Sequence, residues 1–207
     1  MKIYTKHIAA LFTGLVISAG LMAGNAAAAT ISFTDSILLR STNFYNLPLT
    51  LSQFDPSLGT LTGIEITLDG EIDGTVRVES QDGSTATINS WLRGTINLDW
   101  ASGSNITQVI PVSTHSFAAT AFDGIIDFGG TSGKTETGTG TDSDSVTFTS
   151  ADAIFSNFIG SGTLSFALSA ASSSMASGPG NLISSFLTNA GADVTITYTY
   201  NNEVPEP

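Results

Sequence analysis

From residue 30 onward, hydrophobic and polar positions alternate with a period of two almost without interruption. The clearest run puts Ala86, Ile88, Ser90, Leu92, Gly94, Ile96, Leu98 and Trp100 on one face, and Thr87, Asn89, Trp91, Arg93, Thr95, Asn97 and Asp99 on the other. That is the pattern of a strand with one side in a core and the other in water. Val194, Ile196, Tyr198 and Tyr200, set against Thr195, Thr197 and Thr199, repeat it with residues of high β-propensity. Shorter runs at 31–39, 47–54, 61–68, 72–78, 109–117, 122–128, 146–149, 164–170 and 182–187 bring the expected total to about eleven strands. Turn residues at 55–59, at Asp82-Gly83, at 101–104 and at 177–180 separate many of them. One short helix is expected at 151–158, with Ser150 as its N-cap. Many short strands with frequent turns predict an all-β fold, a two-sheet β-sandwich of jelly-roll type.

Two segments break the alternation. Residues 129–145 contain no apolar side chain and read as a long exposed loop or hairpin tip, and 171–181 reads as a second loop of small residues. Neither is long enough to link two domains, so residues 30–200 are expected to form one sandwich. Residues 1–29 read differently: Lys2, Lys6 and His7 precede an uncharged stretch from 8 to 22, and small residues follow at 25–29. This is the arrangement of a signal peptide, too short and too rich in glycine and alanine for a membrane span. Residues 201–207 form a tail that two prolines exclude from the last strand.

Composition sharpens this picture. Only Arg40, Arg77, Arg93 and Lys134 of the six basic residues lie beyond the leader, against all eighteen acidic ones, which leaves a net charge of −14 on the exported part. So acidic a surface repels phosphate backbones and anionic lipid, which argues against nucleic-acid partners and favours divalent cations as ionic ones. Charged residues make up 12% of the chain, about half the usual share, and Ser, Thr and Gly take their places. With no cysteine, the domain must be stable without disulfides even in an oxidising compartment.

Val204, Pro205, Glu206 and Pro207 close the chain. They resemble the opening of the PEP-CTERM sorting signal, in which an apolar helix and an arginine-rich tail follow and exosortase is the processing partner. The body of the chain resembles the choice-of-anchor E domains of bacterial surface proteins. The matching stretches are 53–61, 122–130 with Ser132-Gly133-Lys134, 141–145 and 194–200. The resemblance implies architecture and a location in the exopolysaccharide-rich envelope, and says nothing of catalysis.

Candidate chemistry is sparse. His115 is the only histidine after the leader, no Gly-x-Ser-x-Gly turn accompanies it, and it reads as an outward polar residue on a strand. Asp69, Glu71 and Asp73 alternate, as paired glycosidase carboxylates could, but Asp69 to Gly74 also reads as a hairpin with solvated acids at its tip. A calcium ion (Ca2+) is the sharpest cofactor hypothesis. Asp123 and Asp127 would share one face of a strand, and Asp142 and Asp144 one face of an acidic loop returning near it. Trp91 falls on the polar face of its strand and is the candidate for stacking on a carbohydrate ring, whereas Trp100 ends the apolar face. The expectation is a non-enzymatic, secreted or surface-associated protein of the cell envelope or exopolysaccharide matrix. The alternative is a calcium-assisted carbohydrate-binding module for exopolysaccharide or another surface glycan.

Overall fold

A computed structural model of the chain describes residues 16–18, 28–178 and 180–202. The motif Val204, Pro205, Glu206 and Pro207, and most of the expected leader, lie outside the described residues.

The strands, in chain order, are β1 (Val16–Ser18), β2 (Ala28–Ser41), β3 (Phe44–Ser52), β4 (Thr60–Ser80), β5 (Ala86–Trp100), β6 (Asn105–Val109), β7 (Val112–Ala119), β8 (Gly133–Phe148), β9 (Thr163–Ser172), β10 (Met175–Ser177) and β11 (Leu182–Asn201). One sheet has the order β1-β2-β11-β4-β8. The other has β10-β5-β9-β3, with β6 and β7 also paired to β5. All strand pairs within the two sheets are antiparallel. The pairings nest: β2 with β11, β3 with β9, β4 with β8, and β5 with β6 and β7. A long hairpin rolled up on itself in this way is a jelly roll, and the expected two-sheet β-sandwich is the observed fold.

The core follows the alternation. The apolar face of β5 is buried from Ala86 to Leu98, and Val194, Ile196, Tyr198 and Tyr200 of β11 are buried opposite it. At one end the core is aromatic: the Trp100 ring stacks on Phe166 with centroids 5.1 Å apart and meets the edge of Phe158 at 5.7 Å. Tyr198 packs on Phe33 and Phe54, and its hydroxyl donates to the Ser52 carbonyl at 2.8 Å. Burial of that ring pushes the phenol pKa well above its ordinary value.

Several expectations are corrected, among them the loop at 171–181, which holds the end of β9 and all of β10. Residues 129–145 are not a loop, because most of them belong to the sixteen-residue strand β8, paired along its whole length with β4. Its inward positions are Glu136, Gly138, Gly140, Asp142 and Asp144 rather than apolar residues, since β8 packs on β6 and β7 and reaches the core only at Val146 and Phe148. Residues 122–128 are not a strand but part of the β7–β8 connection. Asp69 to Gly74 is not a hairpin: the runs 61–68 and 72–78 are one strand of 21 residues, β4. Gly70 lies inside it because β6 is so close that a Cβ there would sit 2.4 Å from Val109 Cγ2. The expected helix at 151–158 is a turn ending in a short 3-10 helix, Phe155–Phe158, whose two phenylalanines, three apart, both enter the core.

β2 and β11 bring Ala28 opposite Asn201, so the two ends of the sandwich domain meet at one pole. β1 adds a three-residue edge at Thr30–Ser32. The connections at 81–85 and 120–132, with Gly180 and Asn181, gather at the opposite pole, where Gln81 N–H donates to the Asn181 carbonyl and Phe122 N–H to that of Asp82.

Candidate functional site

The four aspartates considered for calcium fall in two places. Asp142 and Asp144 lie on β8, opposite Gly70 and Leu68 of β4, and tie the sheets together. Asp142 Oδ2 accepts from Ile110 N–H at 2.7 Å and Asp144 Oδ2 from the Thr107 hydroxyl. Asp123 and Asp127 instead cap turns of the β7–β8 connection, accepting from Ile125 N–H at 3.0 Å and Gly129 N–H at 2.8 Å. That connection is fixed to Glu79, nine residues along β4 from Gly70, which is about 30 Å at the usual rise of a strand. The two pairs are therefore not brought together. Among the described residues no group of three or more His, Asp or Glu side chains is arranged to hold a metal ion.

Glu79 is the least expected group. Its side chain is fully buried. One carboxylate oxygen accepts from the Ser132 hydroxyl at 2.7 Å and the other from Phe128 N–H at 2.8 Å. Gly133 has no room for a side chain, since a Cβ would stand 2.2 Å from Glu79 Oε2. The latch holds the connection that exposes Ile125 and Ile126 at the far pole.

His115 faces inward, not outward as its sequence position suggested. It stands between Ser113, whose Oγ is 3.4 Å from its Nε2, and Glu136, whose Oε2 is 3.5 Å from its Nδ1. Serine, histidine and carboxylate thus occur in the order of a nucleophile relay. The β8 backbone lies directly over them: a Cβ on Gly138 would be 2.3 Å from Ser113 Oγ and 2.6 Å from His115 Nε2. The trio lies at the seam between β7 and β8, with the β8 backbone against it.

Asp69 and Glu71 face outward on β4, and Asp193 of β11 stands in register with Asp69. They border a shallow hollow of about 390 Å³ with Ile37, Leu38 and Ala192. Asp69 accepts from the Ser143 hydroxyl at 2.6 Å, and Asp73 from the Asn189 side chain at 2.8 Å.

Trp91 lies where its parity placed it, partly exposed on the outer face of β5 and in register with Thr114 of β7 and Met175 of β10. A second aromatic position was not foreseen. Trp100 lines a hollow of about 410 Å³ with Ala101, Ser102, Ser104, Ile154, Asn157 and Ser165. These come from three separate stretches of chain, so no local motif announces them.

No protein-family model matches the sequence, and no curated protein matches it. Among the solved structures similar to it are those of infectious bursal disease virus: the Gx strain (9% identity over 94% of this chain, TM-score 0.21), the derived T=1 particles (14% over 84%, TM-score 0.21) and the Gt strain (12% over 93%, TM-score 0.20). This chain spans 43%, 37% and 44% of those chains. Likeness at that level carries no argument about this protein.

Proposed function

We propose that the protein is an exported, non-enzymatic component of the bacterial cell envelope or exopolysaccharide matrix. The observation that supports this most directly is the meeting of Ala28 and Asn201 at one pole. Cleavage near residue 29 would remove β1 and the first two residues of β2 and leave the nested pairs intact. A tail leaving at Asn201 would hold the sandwich by the same pole, as the resemblance to choice-of-anchor and PEP-CTERM sequences implies. The test is expression of the whole chain in an exopolysaccharide-producing Gram-negative host, with fractionation and intact-mass measurement. The reading expects a product short of about its first 29 residues in the envelope or medium. An uncut product in the cytosol overturns it.

A second reading, glycan binding, is favoured by two partly exposed tryptophans, Trp91 on the outer face of β5 and Trp100 beside its hollow. Indole rings offer a flat apolar face to pyranose rings and a polar N–H at the edge. Comparing wild type with Trp91→Ala on a glycan array tests that position, and equal signals dismiss Trp91. A four-aspartate calcium site has no part in this reading, because Asp142 and Asp144 on β8 lie about 30 Å along the sheet from the connection that carries Asp123 and Asp127.

A further inference from the structure

We propose that the hollow beside Trp100, not the face around Trp91, is the sugar-binding site of this protein, and that it takes an uncharged pyranose. The inference rests on the glycan-binding reading above and adds the place and the class of sugar.

Its walls are fixed before any ligand arrives. Trp100 N–H donates to the Ser104 carbonyl at 2.8 Å, Gly103 N–H returns to the Trp100 carbonyl at 2.8 Å, and Ala101 N–H donates to the Ser165 carbonyl at 3.2 Å. The opposite wall is the 3-10 turn, closed by Asn157 N–H donating to the Ile154 carbonyl at 2.9 Å. Gln53 fastens that turn from outside: its Nε2 donates to the Asn157 carbonyl at 2.8 Å while its Oε1 accepts from Gly162 N–H at 2.9 Å. The indole is held from behind by Phe166 and Phe158. Little ordering cost remains for binding.

The lining has the chemistry of a sugar site. Aromatic and aliphatic surface comes from Trp100 and Ile154, and hydroxyl or amide groups come from Ser102, Ser104, Ser165 and Asn157. Among the described residues these four side chains, and the Trp100 indole N–H, make no hydrogen bond within the protein. Aromatic and aliphatic surface set beside a few polar side chains that are exposed to water and free of protein partners is a form a small-ligand site can take. No titratable side chain lines it, so nothing there would compensate a sugar carboxylate or sulfate, and the chain's net negative charge disfavours one. Trp91 offers a flat site of different chemistry, with Thr114 and Met175 beside it in register.

The test uses the two tryptophans of the chain. Trp91→Phe leaves Trp100 as the only indole, and its fluorescence is titrated with neutral gluco-, manno- and galacto-oligosaccharides and with polygalacturonate. Expected is a saturable change with at least one neutral series and none with polygalacturonate. Asn157→Ala should weaken binding tenfold or more at an unchanged melting temperature. Trp100→Ala risks the aromatic core, so Ser165→Trp, which fills the hollow from an exposed strand position, is the second blocking variant. Full affinity in both Asn157→Ala and Ser165→Trp, with loss in Trp91→Ala, overturns the assignment and leaves glycan binding standing at Trp91. Preference for polygalacturonate overturns the uncharged class. No binding of any saccharide by the wild-type protein, followed by calorimetry, overturns both the site and the glycan reading beneath it.

Discussion

Replacing Glu79 tests how the far pole is held. The Ser132 hydroxyl and Phe128 N–H would both lose their acceptor in Glu79→Ala. An unsatisfied buried donor costs about 1–3 kcal/mol, and the lost methylene adds about 0.8 kcal/mol. Phe128 also sits at φ 57°, a left-handed conformation that costs a non-glycine residue about 1–2 kcal/mol and is sustained by the same latch. Water can reach the partly exposed Phe128 more easily than the buried Ser132, so the expected destabilisation is about 3–5 kcal/mol, a large part of the stability of an ordinary domain. Glu79→Gln keeps one acceptor oxygen, and the Ser132 hydroxyl can turn to accept from the new amide, so about 1–2 kcal/mol is expected. Urea unfolding with linear extrapolation gives both values, and hydrogen exchange at the Phe128 amide reports the latch directly. If Glu79→Ala lies within 1 kcal/mol of wild type, or if Glu79→Gln is as damaging, the carboxylate does not hold the connection.

Gly138→Ala would drive a methyl group into Ser113 and His115 and should cost about 1–3 kcal/mol. Adding Ser113→Ala should recover part of it in a double-mutant cycle, and strict additivity would show that β8 moves away instead. The raised phenol of Tyr198 predicts alkaline sensitivity. The folded state holds the proton that the unfolded chain loses above its ordinary value of 10.0, so this contribution is whole below pH 10 and declines as pH rises further, by at most about 1.4 kcal/mol per unit. Denaturation curves from pH 7 to 11.5 check it, and an unchanged midpoint across pH 10 to 11.5 would contradict it. Millimolar calcium against chelator should leave the melting temperature within about 1 °C, because a ligand stabilises only by binding the native state; a rise of several degrees would restore an aspartate site.

What could be read from the chain depended on which surface each strand packs against. β5 and β11 were legible because their inward faces meet the opposite sheet, where every second residue must be apolar. β8 was not, because its inward face meets β6 and β7 through glycine, aspartate and glutamate, using close backbone approach and hydrogen bonds instead of apolar burial. Phe122, Ile125, Ile126 and Phe128 misled in the opposite sense. They look like a strand, but the connection's shape comes from turns at Asp123 and Asp127 and from Glu79, fifty residues away in sequence. The outward side of Trp91 follows from parity alone. The Trp100 hollow does not, since it exists only once the turns at 101–104 and 154–157 and the start of β9 come together.

The same contrast explains why a binding site would sit at a pole of this molecule. The inner faces of both sheets are spent on the core and, along β8, on polar contacts with β6 and β7. On the outer face of the β2-β11 pair, hydroxyls partner one another across the strands: Ser32 with Thr197 at 2.9 Å and Thr34 with Thr195 at 2.8 Å. Such rows gain little by exchanging a partner already in place for a ligand. At the far pole Glu79 consumes the donors of the β7–β8 connection, whereas the pole bearing Asn201 leaves the hydroxyls, amide and indole around Trp100 open. Binding there requires no partner exchange within the protein, which is the physical reason to look for a ligand beside Trp100 first.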